Sequence, residues 1–164
     1  MGESSYAVRR GVARDAESLR MIRLESLRDT PDAFGAQFDE VSAWPMSRWR
    51  EVAAGWHYYV GEVDGDVVGL VSGEVDCRSP GQCWMFGMYV SPPARGTGLA
   101  GGLVDAVCGW ARENGASELR LHVTETQLRA RAFYAKVGFE LTGGSMTMQR
   151  DPSVRLLTMA KRLD

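Results

Sequence analysis

From residue 88 the chain reads Met-Tyr-Val-Ser-Pro-Pro-Ala-Arg-Gly-Thr-Gly-Leu-Ala100, an apolar run broken by a glycine turn that leads into a helical pattern. Glycines at 96 and 98 permit backbone angles closed to other residues and let a ligand approach the main chain. The first amides of a helix lack intrahelical partners, and the helix dipole places about half a positive charge at that end. A phosphate or pyrophosphate suits this arrangement, although a plain turn uses the same residues. Gly96-x-Gly98-x-x-Gly101 also spells the dinucleotide fingerprint, but that motif opens a doubly wound sheet and only Leu99–Asp164 follow. A P-loop is excluded because no Gly-Lys-Ser/Thr is present.

The elements that must position this turn can be read on either side of it. Tyr6–Val12 reads as a strand. Asp15 is placed to cap a helix running to about Arg28, with Ala16, Leu19 and Ile22 on one stripe and Met21, Leu24 and Leu27 widening it, and Pro31 stops it. An aromatic-rich stretch, 32–59, contains a second helix near Ser47–Ala54; its aromatics serve as sheet cover or as the lining of an acceptor pocket. Tyr58–Val63 and Val67–Val75 flank Asp64-Gly65-Asp66, a hairpin signal, and Cys83–Val90 follows another turn at Arg78–Gly81.

After the glycine turn, Leu99, Leu103, Val107 and Trp110 share one helix face, which ends at Asn114-Gly115. Leu119–Val123 is a buried strand. Thr126 is placed to cap a helix with Ala130, Phe133, Tyr134 and Val137 inward and Gly138 at its close. Phe139–Thr142 and Leu156–Met159 complete the order β-α-α-β-β-β-α-β-α-β-β, a mixed α/β sheet containing an antiparallel meander.

Composition narrows the classes. The 164 residues are 45% hydrophobic, enough for one core in a single domain spanning 1–164. Nineteen Lys+Arg against 21 Asp+Glu leave a net charge of −2, without the basic surplus of a nucleic-acid binder. The longest apolar runs, Trp84–Val90 and Val67–Val71, fall short of the roughly 18 residues of a membrane span, and the start shows no apolar signal core. Three cysteines, Cys77, Cys83 and Cys108, are too few for a disulfide framework or a zinc site. The expectation is a cytoplasmic protein with free thiols and no metal, its oligomeric state open and a homodimer allowed.

Arg95-Gly-Thr-Gly-Leu-Ala100 resembles the acyl-CoA loop Gln/Arg-x-x-Gly-x-Gly/Ala of the GCN5-related N-acetyltransferases. The preceding Val90-Ser-Pro-Pro, the later Ala130, Phe133-Tyr134 and Gly138-Phe139, and the early Arg23-Leu-Glu-Ser-Leu…Pro31-Asp-Ala-Phe-Gly35 are also familial, so the likeness covers nearly the whole chain. Gln127 departs from the pattern: it stands where the family usually has Asn, keeping an amide on a longer arm.

The resemblance implies a mostly antiparallel central sheet flanked by helices, the acyl-CoA N-acyltransferase fold. It implies acetyl transfer from acetyl-CoA to a primary amine by direct attack in a ternary complex. The acceptor is a small molecule or a peptide. Arg95, Gly96, Thr97, Gly98, Leu99 and Ala100 would hold the pyrophosphate. The backbone of Met88, Tyr89 and Val90 would pair with the pantetheine arm, with a bulge or splay near Met88 freeing its amide. Gln127 and Ala130 would add cofactor contacts, and Tyr134 would protonate the departing thiolate. Strand 83–90 carries no acid, so the general base falls to Glu74 first and His122 second. Bland alternatives remain for each: core aromatic for Tyr134, solvent-facing residue for Glu74, sheet histidine for His122. The missing strand acid and Gln127 keep open a different class, a non-catalytic acyl-CoA sensor on the same fold.

Overall fold

The computed structural model describes residues 5–164. Seven strands form one sheet in the order β1-β2-β3-β4-β5-β7-β6, with helices α1–α5 between them in sequence. They are β1 (Tyr6–Arg10), α1 (Ala16–Asp29), α2 (Phe38–Ser42), α3 (Met46–Gly55), β2 (Tyr58–Val63), β3 (Asp66–Val75), β4 (Gln82–Val90), α4 (Leu99–Glu113), β5 (Glu118–Thr124), α5 (Leu128–Lys136), β6 (Glu140–Met148) and β7 (Asp151–Arg162). The β1/β2, β2/β3, β5/β7 and β6/β7 pairs are antiparallel, and β4/β5 is parallel. A parallel pair needs a long crossover, and the glycine turn with α4 supplies it. The mixed, mostly antiparallel sheet expected from the sequence is therefore present. Backbone contacts group the chain into two compact units, 1–72 with 87–107 and 73–86 with 108–164; each is described in turn.

In the first unit, α1 and α3 bury Ala16, Leu19, Ile22, Leu27, Trp49, Val52 and Ala53 in one cluster with Tyr58, Val60, Leu70 and Tyr89 of the strands. Met21 was expected to widen the α1 stripe but is 65% exposed, because it falls opposite the buried face. The aromatic stretch mostly covers this core: Trp49 is buried, and Phe34, Phe38 and Trp44 pack against the cluster. It also contains α2, a short helix the spacing did not signal.

β1 stops at Arg10, two residues early. Gly11 passes against the Tyr58 ring, where any Cβ would lie 1.8 Å from a ring carbon, and the Val12 amide then donates to Asp15 at 2.8 Å. That bond turns the chain into a 3-10 turn, Ala13–Asp15. Asp15 does stand at the N-cap of α1, yet its carboxylate makes no cap bond there; it is held by two 2.8 Å bonds from Arg9.

On another face of this unit, α4 lies close to the strands because glycines face it. A Cβ at Gly61 would come within 2.5 Å of Leu99 Cδ1, and one at Gly69 within 3.0 Å of Leu103 Cδ1. Leu99 and Leu103 are fully buried.

In the second unit, β5 and β7 pair over seven residues, from Glu118↔Arg162 to Thr124↔Leu156. β6 and β7 form a far longer hairpin than the short strands expected. β6 is exposed along nearly all its length, so no apolar alternation marks it, and its backbone ladder to β7 defines it instead. A register shift between Leu141 and Ser145 spans Gly143 at φ 85°. Thr126 does not cap α5; Gln127 occupies the N-cap position without a side-chain cap bond. Gly115 (φ 78°) and Gly138 (φ 104°) close α4 and α5 as left-handed residues.

Candidate functional site

The turn that opens α4 is built by side chains that reach backward. Arg95 Nε donates to the Val90 carbonyl at 3.0 Å, and its Nη2 donates to Asp29 Oδ2 at 2.9 Å. The Tyr89 hydroxyl donates to the same Asp29 oxygen at 3.1 Å, so α1, β4 and the loop meet on one carboxylate. Burial, reinforced by Glu25 and Asp29, pushes the Tyr89 phenol well above its ordinary pKa. Ser91 is likewise fastened, donating to Glu25. The Thr97 hydroxyl donates to the Ala94 carbonyl at 2.6 Å.

With its side chains occupied in this way, the loop offers main chain. Gly96 and Gly98 have φ of 79° and 90°, the left-handed region that favours glycine. A Cβ at Gly96 would meet nothing within 4 Å, so the space over Gly96 is open. Leu99 anchors the first turn of α4 in the core, and Ala100 is half-buried beside it. Main chain with two left-handed glycines at a helix N-terminus, open over Gly96 and with the Tyr6 ring beside Gly98, suits a diphosphate.

β4 leads into the loop with an irregularity of its own. The β4/β5 ladder runs Gln82↔Glu118, Cys83↔Leu119, Trp84↔Arg120, and three residues after the last rung Gly87 adopts φ 65°. A left-handed glycine inside a strand bends it, here immediately before Met88. Met88 is half-buried, and Tyr89 and Val90 are buried.

In the second unit, Tyr134 is half-buried on α5, edge-on to Phe139 at 5.8 Å between centroids and 5.5 Å from Phe133. Burial pushes its phenol up to about 12. Ala130 and Gln127 are half-buried at the start of the same helix. Glu74 is exposed near the end of β3.

His122 stacks on Trp84 at 4.6 Å, and its Nδ1 lies 3.2 Å from Thr158 Oγ1. Burial lowers its pKa from the ordinary 6.5. Trp84 Nε1 donates to Asp76 Oδ2 at 2.9 Å, which, with the Arg78 amide, holds the Asp76 carboxyl below its usual range. Sequence reasoning missed this Trp84–Asp76 pair and the position of Gly87. A glycine inside the apolar run 84–90 was the available signal for the second. For the first there was none, since the partners lie eight residues apart across a turn.

None of the three cysteines is in a disulfide, and Cys77 is exposed while Cys83 and Cys108 are buried. Among the described residues no group of His, Cys, Asp and Glu is arranged to hold a metal ion, and no helix is long and apolar enough to cross a membrane.

Human N-acetyltransferase 8 is 35% identical over 92 residues, 54% of this chain and 40% of that protein. N-acetyltransferase family 8 member 2 of Rattus norvegicus is 34% identical over 89 residues, 52% of this chain and 39% of that protein. The matches thus span about two fifths of the length of these relatives. Among solved structures, a GCN5-related N-acetyltransferase from Kribbella flavida superposes with a TM-score of 0.76 at 18% identity, covering 99% of this chain and 100% of the other. The Salmonella typhimurium protein yncA, solved with its cofactor acetyl-CoA, gives 0.72 at 22% identity, covering 98% and 95%. The Acetyltransferase (GNAT) family description matches residues 20–139. Most of the sequence lies within that match, and the chain belongs to the GNAT acetyltransferase family.

Proposed function

We propose that residues 1–164 form one acetyltransferase domain that transfers the acetyl group of acetyl-CoA to a primary amine by direct attack in a ternary complex. The observation that carries this reading is the loop Arg95–Leu99: two left-handed glycines, an open surface over Gly96, and side chains tied back to Val90, Ala94 and Asp29. Acetyl-CoA, when bound, supplies an activated thioester. The amides of Arg95–Ala100 would hold its pyrophosphate, the main chain of Met88–Val90 would align the pantetheine arm by strand addition, and Gln127 and Ala130 would add contacts. The Met88 amide, immediately after Gly87, would donate to the thioester carbonyl as charge builds on it, a contribution of roughly 2.7–4 kcal/mol.

Tyr134 would give its proton to the departing sulfur. At about 12 its phenol is protonated throughout the neutral range, the state a donor needs. Glu74 would take the proton of the attacking amine. His122, whose pKa is lowered by partial desolvation, is the second candidate for that role. Three cysteines outside any disulfide fit a reducing, cytoplasmic setting.

The test is acetyl-CoA-dependent release of free thiol across a panel of amines, read beside acetyl-CoA binding. Release with at least one amine is expected. Binding without release from any amine would replace this reading with an acyl-CoA sensor on the same fold.

A further inference from the structure

Among the described residues of the first unit, Arg23 carries a buried guanidinium nitrogen that nothing answers. Arg23 projects from α1, and its Nη1 is fully buried with no hydrogen-bond partner among the described residues. Burial pushes the guanidinium pKa below its ordinary value, yet an arginine keeps its proton in a protein. One face of the guanidinium lies over the Phe34 ring, 5.0 Å from the centroid. That contact steadies the plane and leaves Nη1 unanswered. The acidic residues that follow on α1 are engaged elsewhere: Glu25 accepts from Ser91, and Asp29 accepts from Tyr89 and Arg95.

Arg23 Nη1 lies close to the place where Gly87 lacks a side chain. A Cβ built on Gly87 would lie 3.9 Å from Arg23 Nη1 and 3.9 Å from Ser72 Oγ. Nη1 and the Ser72 hydroxyl therefore converge on the one residue of β4 that has no side chain and a left-handed φ of 65°. Gly87 immediately precedes Met88, whose amide is assigned to the thioester carbonyl. A buried, planar N–H donor beside a hydroxyl matches the two oxygens of a carboxylate, and pairing would relieve the cost of the isolated charge.

We propose that Arg23 and Ser72 bind a carboxylate of the acceptor, so that the acceptor is a free amino acid, with its amine and carboxylate close together, rather than a simple amine or a protein lysine. This rests on the acetyltransferase reading and names the substrate class for the same site.

The experiment uses the full chain as wild type, Arg23→Met, Arg23→Lys and Ser72→Ala. Free amino acids and the corresponding amino-acid amides are compared by acetyl-CoA-dependent thiol release. The wild type is expected to favour acids over amides in kcat/KM by about 100-fold, the scale of losing one partner of a buried charge pair. Arg23→Met should reduce that ratio below about 10-fold, chiefly through KM, with partial recovery in Arg23→Lys and a smaller reduction in Ser72→Ala. A wild-type preference for amides or simple amines, or a ratio that survives Arg23→Met in a folded protein, overturns the proposal. Should Arg23→Met fail to fold, the Arg23→Lys and Ser72→Ala ratios decide by the same criterion. If no amine releases thiol, it is the acetyltransferase reading that fails; calorimetry with N-acetyl amino acids then decides the carboxylate site on its own. Binding to the wild type that Arg23→Met abolishes supports it, and no binding overturns it.

Discussion

Tyr134 and His122 owe their properties to neighbours rather than to their own chemistry. Phe133 and Phe139 flank the Tyr134 ring, and burial pushes its phenol up to about 12. Tyr134→Phe keeps the ring and its packing, so acetyl-CoA affinity should stay close to wild type while kcat falls roughly 10²–10⁴-fold. An unchanged single-turnover rate would return Tyr134 to a packing role. Glu74→Gln and His122→Gln form a matched pair for the base. A base must be deprotonated to act, so activity is lost as pH falls through its pKa. If His122 serves, the acidic limb of kcat/KM lies below pH 6.5 and changes only in His122→Gln; if Glu74 serves, only Glu74→Gln alters the limb.

Asp15 carries a stability prediction. Arg9, first through its hydrogen bonds and then through its charge, keeps the Asp15 carboxyl below 3.8 in the folded state. A depressed carboxylate pKa contributes stability that is full above the unfolded value and is lost as pH falls toward the folded one. Asp15→Asn should therefore cost about 2 kcal/mol by urea unfolding at pH 7, discounted because Arg9 is partly exposed and keeps Glu62. The difference from wild type should shrink below pH 3.8.

At the scale of elements, the glycine loop and α4 act as one part, because Leu99 is both the first residue of the helix and its anchor in the core. Gly98→Glu places a side chain and a negative charge over the loop at φ 90°, with its Cβ 3.3 Å from the Tyr6 hydroxyl. Acetyl-CoA binding should disappear in a protein that still unfolds cooperatively; retained binding would remove the loop from the site. Gly61→Ala tests the same part from beneath. Its Cβ would lie 2.5 Å from Leu99 Cδ1, and a fully buried leucine has little room to move. A loss of about 1–3 kcal/mol is expected, together with weaker acetyl-CoA binding as the first turn of α4 is displaced.

For the molecule as a whole, ligand linkage provides the simplest check. A ligand that binds only the native state stabilises it by RT ln(1 + [L]/Kd), about 2.7 kcal/mol at 100 times Kd. Acetyl-CoA should raise Tm accordingly, and NADH should give no comparable shift. A shift with NADH would revive the dinucleotide reading of Gly96-x-Gly98-x-x-Gly101.

Where a pattern is local, the amino-acid sequence was sufficient to find it. Glycines at 96 and 98 after a strand, the helical spacing of Leu99, Leu103 and Val107, and the Asp64-Gly65 hairpin each depend on residues a few positions apart. Backbone angles and helix periodicity are set at that range, so the strand–loop–helix unit and the mixed sheet were legible. Tertiary structure decided what depends on partners distant in the chain. β6 exists through its ladder to β7, because an edge strand exposed on both faces has no burial pattern to reveal it. The end of β1 depends on the ring of Tyr58, 47 positions beyond Gly11. In the sequence, Arg23 stands only as the first residue of the familial stretch Arg23-Leu-Glu-Ser-Leu. Only folding places its Nη1 beside Ser72 and Gly87 with Phe34 beneath it, because burial and the lack of a partner are properties of the packed chain and not of the residue.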